Sequence, residues 1–351
     1  MTNHSQNKIP LYGKTLEELI AIAIQEKLPK FTGKQISEWL YHKHVDTIDK
    51  MTNLSKVARE TLSAKYEVGL SEPVKVSESN DGTKKYLFEN ENGKFVEAAY
   101  IPESDRATLC VSSQVGCKMG CLFCMTGKQG FQGNLTANQI LNQLRSIPEF
   151  EKVTNIVYMG MGEPFDNLQN VLQSTEVLTS DWGLGWSPRR ITVSSIGIIP
   201  AMNEFIAKSQ CHLAISLHNP FDDERKAIMP IQNVYPIADV ISELRKANIR
   251  GQRRVSFEYI MFDGINDTPR HVKELAKLLS GLQCRVNLIR FHSIPNSPLQ
   301  GTPDNKIIEF RDALTAKGVF TTIRASRGQD IQAACGLLST KALLEKNKDN
   351  K

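Results

Sequence analysis

The sequence predicts an α/β protein, an open or partial (β/α) barrel preceded by a small helical N-terminal domain. Three observations lead there. From about Thr108 onward, strand-like and helix-like segments alternate. Before Tyr66 the apolar residues instead recur at helical spacing. Three of the seven cysteines fall within eight residues, just after the first strand of the alternating region.

The 351 residues suit one large enzyme domain with an accessory piece. A composition that is 40% hydrophobic and 23% charged excludes a disordered chain. Twenty-two glycines and 15 prolines are ordinary, so collagen-like and low-complexity readings fall away. No run approaches the ~20 apolar residues that span a bilayer. The start, MTNHSQNKIP, is polar and has no secretory apolar run, so a cytoplasmic location with reduced thiols is expected. Net charge is 43 − 38 = +5. That permits an anionic partner such as RNA without demanding one.

The first element, with Leu16, Leu19, Ile20, Ile22 and Ala23 at helical spacing, reads as a helix capped by Thr15. Ile36, Trp39, Leu40 and His44 predict a second, capped by Thr32. Lys30, Lys34, Lys43, Lys50 and Lys56 dot this region around Trp39, Tyr41 and His42. A solvated lysine face and an RNA-binding module both fit. Next, two strand-like runs, 84–89 and 94–101, flank Asn92-Gly93, a hairpin signal, and Pro102 ends the second run. Seven strands follow, at Thr108–Ser112, Asn155–Met159, Arg190–Ser194, His212–Ser216, Val255–Met261, Val286–Arg290 and Thr321–Ala325. Six or seven βα units suit a partial barrel better than a closed eight-unit one. The expected domains are 1–72 (helical), 73–105 (a β-hairpin connector), 106–340 (catalytic) and 341–351 (a charged tail).

Cys117, Cys121 and Cys124 have the spacing CxxxCxxC. Structural zinc sites use four ligands, usually in CxxC pairs, and no partner pair exists here. Electron-transfer clusters also use four cysteines. Three thiolates in one loop suit three irons of a 4Fe–4S cubane and leave the fourth iron open. The amino and carboxylate groups of S-adenosylmethionine (SAM) fit such a corner. A zinc or chance cluster is the alternative. Other candidates share the strand ends, where parallel α/β folds collect chemistry. They are Gly162 and Glu163 in YMGMGEP, Ser194 beside Ser195, the run Ser216-Leu217-His218, and Asn287. Glu163 could take an ammonium group, and the glycines could allow close backbone approach to a ligand.

The ordered stretches ATLCVSSQVGCKMGCLFC, YMGMGEP, RRITVSSIGIIP, AISLHNPFDDER and TTIRASRGQDIQAACGLL resemble the RlmN/Cfr family of radical SAM RNA methyltransferases, more closely its RlmN branch. The family's Pro-Trp-Asn-Pro stretch is replaced here by Arg290-Phe291-His292-Ser293. The resemblance implies a radical SAM type of partial barrel, a 4Fe–4S cluster held by Cys117, Cys121 and Cys124, and two SAM molecules per turnover. It implies that Cys335 carries the transferred methyl group, that Cys110 resolves the protein–RNA link through a transient disulfide with Cys335, and that Glu97 accepts a proton. From the residues alone, Cys110 on an apolar strand end also reads as a buried thiol, the commoner fate of a free cysteine. The substrate expected is adenosine C2 in 23S rRNA and in tRNA, with flavodoxin as electron donor, no membrane contact, and a monomer. The alternatives are C8 methylation as in the Cfr branch, a radical SAM enzyme acting on a protein or small molecule, and a non-enzymatic iron–sulfur or zinc protein that binds RNA. Cys211 and Cys284 begin strands and read as core.

Overall fold

The computed structural model describes residues 8–90, 92–247, 249, 253–334 and 336–338. Its centre is a ten-stranded sheet. The strands are β1 (Lys75–Glu78), β2 (Lys84–Glu89), β3 (Phe95–Pro102), β4 (Ala107–Cys110), β5 (Asn155–Tyr158), β6 (Ile191–Ser195), β7 (His212–Ser216), β8 (Val255–Met261), β9 (Cys284–Arg290) and β10 (Thr321–Ile323). Their order in the sheet is their order in the chain. β4 to β10 run parallel, and β1 to β3 add an antiparallel extension at the β4 edge. β10 and β1 are not paired with each other, so the sheet is open. All seven strands expected from the alternating pattern are present.

Side chains alternate across a strand, so one set faces the helices and the other the barrel axis. In β5, Ile156 and Tyr158 are buried in the main core, while Val157 and Met159 face inward. The inward faces of β4 through β10 line a shared cavity, which requires the sheet to curve. The segment 73–105 is thus more than a link between domains. Glu97, Ala99 and Ile101 of β3 alternate with Val96, Ala98 and Tyr100, which enter the main core. Ala99 pairs with Cys110, so Glu97 and Cys110 share the inward face.

The N-terminal helices are α1 (Leu16–Gln25), α2 (Thr32–Tyr41) and α3 (Lys56–Lys65). Thr15 caps α1 in a reciprocal capping box with Glu18. Thr32 makes no cap; it is the first residue of α2 and is buried, and Phe31 holds the cap position without a side-chain bond. The expected cap fails because tertiary packing claims that side chain. Tyr41 is also buried, receiving Gly13 N–H and donating to the Lys14 carbonyl. Its ring lies 6.0 Å from Trp182 of the barrel domain. One hydrophobic core runs from these helices into the barrel. No described helix is long and apolar enough to cross a membrane. Both Cys335 and the expected charged tail, 341–351, lie outside the described residues.

Candidate active site at the strand ends

The cysteine loop lies between β4 and the short helix α4 (Met125–Gln129), for which Cys124 is the cap residue. Gly116 turns the chain into the loop at φ +70°, and a Cβ there would sit 1.7 Å from the Gly130 carbonyl oxygen. Further along, Leu122 N–H donates to the Ile228 carbonyl, and Cys124 N–H to the Cys121 carbonyl. Cys117, Cys121 and Cys124 line one cavity together with Gly162, Glu163, Ser194, Ser195, Ser216 and His218. Most of the strand-end candidates are therefore gathered around the cysteine triplet.

Glu163 is fully enclosed. Its two oxygens accept Phe165 N–H at 3.0 Å and Ile196 N–H at 3.1 Å. Its own N–H donates to Gln114 Oε1. Burial pushes the carboxyl up to about 7, against the lowering effect of these donors. The carboxylate thus braces the β5 and β6 ends against each other. The two glycines beside it answer to the protein. A Cβ at Gly160 would meet the Val111 carbonyl at 2.7 Å, and one at Gly162, φ +98°, would meet the Gln114 side chain at 2.5 Å.

His218 adopts φ +56°, rare for a side chain with a Cβ. Asn266 fixes that turn by donating to the His218 carbonyl at 2.6 Å. His218 Nδ1 accepts Ile260 N–H at 3.0 Å, which leaves Nε2 to carry the proton. Burial first, then the Arg225 charge, push the imidazole down to about 3, so it is neutral. Its ring meets Phe123 edge-on at 4.8 Å.

Two expected residues are placed elsewhere. The Leu217 side chain is in the main core, and its N–H and carbonyl are used by Glu258 and Arg225. Asn287 sits deeper in the barrel, donating to Glu258 Oε1 at 2.7 Å and accepting from Thr322. Cys211 is in the core and Cys284 packs against it, as expected.

Arg225 was not singled out from sequence. It is entirely buried, and its guanidinium donates to the carbonyls of Leu217, Ser216 and Ile196 and to Gln232. It holds the β6 and β7 ends in place. The only sequence signal is one of two basic residues in the charged run Asp222–Lys226, which periodicity cannot tell from a solvated face.

Cys110 opens on a second groove, lined also by Met159, His292, Arg324, Ala333, Ala334 and Leu338. Met159, Ile289, Arg324 and Leu338 border the cysteine cavity too, so the two spaces adjoin. The C-terminal segment is tied to α4: Met125 N–H donates to the Gly336 carbonyl, and Thr126 Oγ1 to the Leu338 carbonyl. Glu97 is buried and pairs with Lys85 at 3.1 Å.

The three thiols suit a polynuclear group. Burial pushes Cys117 up to about 12 and Cys121 well above its ordinary value, so ionised sulfurs here need a bound cation. Three soft thiolates on one cavity wall fit iron–sulfur ligation.

An open parallel barrel with a cysteine loop after its first strand defines a radical SAM enzyme. The Radical SAM superfamily profile matches residues 111–279, and the profile of the ribosomal RNA large subunit methyltransferase N-terminal domain matches 9–68. A protein from Phocaeicola vulgatus, described as "Probable dual-specificity RNA methyltransferase RlmN", is 58% identical over 95% of both chains. One of the same description from Bacteroides fragilis is 55% identical over 97% of this chain and 99% of its own. The crystal structure of a radical SAM methyltransferase from Sphaerobacter thermophilus superposes with a TM-score of 0.88 at 38% identity, covering 94% of this chain and 99% of that one. The chain belongs to the RlmN family of radical SAM RNA methyltransferases.

Proposed function

We propose that this enzyme methylates C2 of adenosine in 23S rRNA and in tRNA through a methylated Cys335. The observation that carries the reading is the adjacency of two spaces. One holds Cys117, Cys121 and Cys124; the other holds Cys110. The described neighbours of Cys335 border both, Ala334 the second and Gly336 the first.

Cys117, Cys121 and Cys124 would hold a 4Fe–4S cluster, and Ser194, Ser216, His218 and the backbone at Gly162 and Glu163 would hold SAM. When bound, the cluster would supply the electron for reductive cleavage of SAM, and with it the means to remove a hydrogen atom from the methyl group on Cys335, and it would take one electron back once that carbon has bonded to the ring. The protein provides the rest. Cys335 first takes a methyl group from one SAM by displacement at carbon. Neutral His218 offers Nε2–H as a hydrogen-bond donor without adding charge beside a sulfonium. The methylene carbon on Cys335 bonds to adenine C2, so a thioether links protein and RNA. Glu97, on the inward face with Cys110, accepts the proton lost from the adenine ring. The Cys110 thiolate then attacks the Cys335 sulfur; the carbon–sulfur bond breaks with its electron pair on carbon, which takes a proton to become the methyl group, and the two sulfurs form a disulfide. External electrons, supplied by a flavodoxin, reset the thiols. Each turnover uses two SAM molecules. We place the enzyme in the cytoplasm as a monomer.

Cys335→Ala abolishes methyl transfer while SAM cleavage persists. Cys110→Ala leaves protein covalently attached to RNA, visible as a nuclease-sensitive shift on a denaturing gel. Normal methylation by Cys335→Ala would overturn the route. Mass spectrometry of digested RNA separates C2 from C8 methylation.

A further inference from the structure

The opposite mouth of the barrel carries charge that the reading above does not use. The N-terminal halves of the parallel strands enclose a cavity of about 540 Å³. Arg189, Arg190 and Arg254 are exposed at its rim, on the turns leading into β6 and β8. Arg285 of β9 is half-buried inside it. These four guanidiniums make no hydrogen bond or ion pair among the described residues. Glu258 is the one carboxylate lining the cavity, and its Oε1 is taken by Ser256 and Asn287. Arg106, also at the rim, pairs with Glu103. The wall therefore keeps a large excess of positive charge.

Like charges around a concave, poorly solvated wall repel one another and focus a positive field into the space they enclose. His212 in the same wall reports that field. Burial and then Arg254, Arg285, Arg253 and Arg189 push it down to about 4. Guanidinium forks match the oxygens of phosphate and bind them bidentately.

We propose that this cavity is a phosphate-binding site, in which Arg189, Arg190, Arg254 and Arg285 take the phosphoryl oxygens of a phosphate-bearing ligand. Two sources share that chemistry, a free nucleotide-like phosphate and the backbone of single-stranded RNA. The groove at Cys110 shares Arg106, Thr108, Met159 and Arg324 with the cavity, so a strand entering beside Cys110 has a continuous path to it. The inference stands whether or not the cysteine route of methyl transfer is correct.

The test uses the full chain with two probes, inorganic pyrophosphate and a short single-stranded RNA. The variant is Arg189→Gln/Arg254→Gln; Lys226→Gln/Lys273→Gln removes the same charge from exposed helical sites outside the cavity lining. An unchanged thermal midpoint certifies folding, and Arg285→Gln alone provides a second variant. Calorimetry is expected to show saturable pyrophosphate binding that weakens by about tenfold in the arginine variant and stays unchanged in the lysine control. If the phosphate belongs to RNA, RNA displaces pyrophosphate, and the salt slope of RNA binding falls by about 1 to 2 in the arginine variant. If RNA does not displace it and the slope holds, the ligand is a small phosphate compound. A wild-type chain that binds neither probe more tightly than the arginine variant overturns the proposal.

Discussion

Glu163 and His218 face one cavity and respond to pH in opposite directions. Burial holds the Glu163 carboxyl up at about 7, against an ordinary 4.5. Between those values the folded protein keeps a proton that the unfolded chain has lost, so this group's share of stability falls as pH rises through the window. Burial holds His218 down at about 3, against 6.5. Below 6.5 the unfolded chain takes a proton that the folded protein refuses, so stability falls as pH drops from there. Between 4.5 and 6.5 the two slopes oppose, spanning on the order of 3 kcal/mol for Glu163 and about 5 kcal/mol for His218 across their own windows. Removing one should expose the other. In urea titrations from pH 4.5 to 6.5, Glu163→Gln should gain stability with rising pH relative to wild type. His218→Asn should lose it; asparagine tolerates the positive φ and keeps an acceptor for Ile260 N–H. Parallel profiles for all three proteins would contradict the assignment. Arg225 is a separate case at this scale. Arg225→Leu leaves several buried carbonyls without donors, and we expect a loss of about 3–5 kcal/mol in the same titration.

Among the elements, the cysteine loop is the part whose shape is most tightly determined. Gly116 combines a positive φ with a 1.7 Å approach to the Gly130 carbonyl, so alanine cannot enter without moving the loop that bears Cys117. Gly116→Ala should keep wild-type circular dichroism yet lose most of its iron and sulfide after anaerobic reconstitution. Wild-type iron content in that variant would show that the loop adapts. The same comparison of elements shows what local pattern can reveal. Thr15 precedes an apolar-periodic run and is followed at three residues by Glu18, and the capping box forms. Thr32 precedes a similar run and is followed at three residues by Gln35, which a box accepts as Thr136 and Gln139 show, yet the helix starts one residue early and buries Thr32 in its first turn. The local pattern is met in both cases, and tertiary packing decides which cap forms. The partners of Glu163 show the limit of that pattern: one of its oxygens accepts from Ile196 N–H, 33 positions away, a contact its sequence neighbours do not announce.

At the scale of the molecule, the N-terminal helices and the barrel are joined by polar bonds as well as by a common core. Asn138 at the start of a barrel-domain helix donates to the carbonyls of Tyr12 and Gly69. Ser37 donates to the Trp182 carbonyl at 2.6 Å. The two parts should therefore unfold together, in one calorimetric transition. Asn138→Ala should lower the stability of that single transition by about 1–3 kcal/mol; a separate early transition for the helices would show that the contacts do not couple them.

The sequence by itself determined the class of fold, the seven parallel strands and the cysteine loop. Each of these is written in residues near one another along the chain: period-2 and period-3.6 patterns, turn glycines, and a three-thiol spacing. Most of the strand-end candidates were legible for the same reason, since parallel strands bring their C-terminal ends to one side. Only the tertiary structure decided which of those ends face the cavity. It moved Asn287 down the barrel and Leu217 into the core, and it made Arg225 a buried clamp. It also gathered four arginines from three separate segments around the far mouth. Curvature of the sheet and the pairing of distant backbone groups set these outcomes, and neither leaves a periodic mark in the chain.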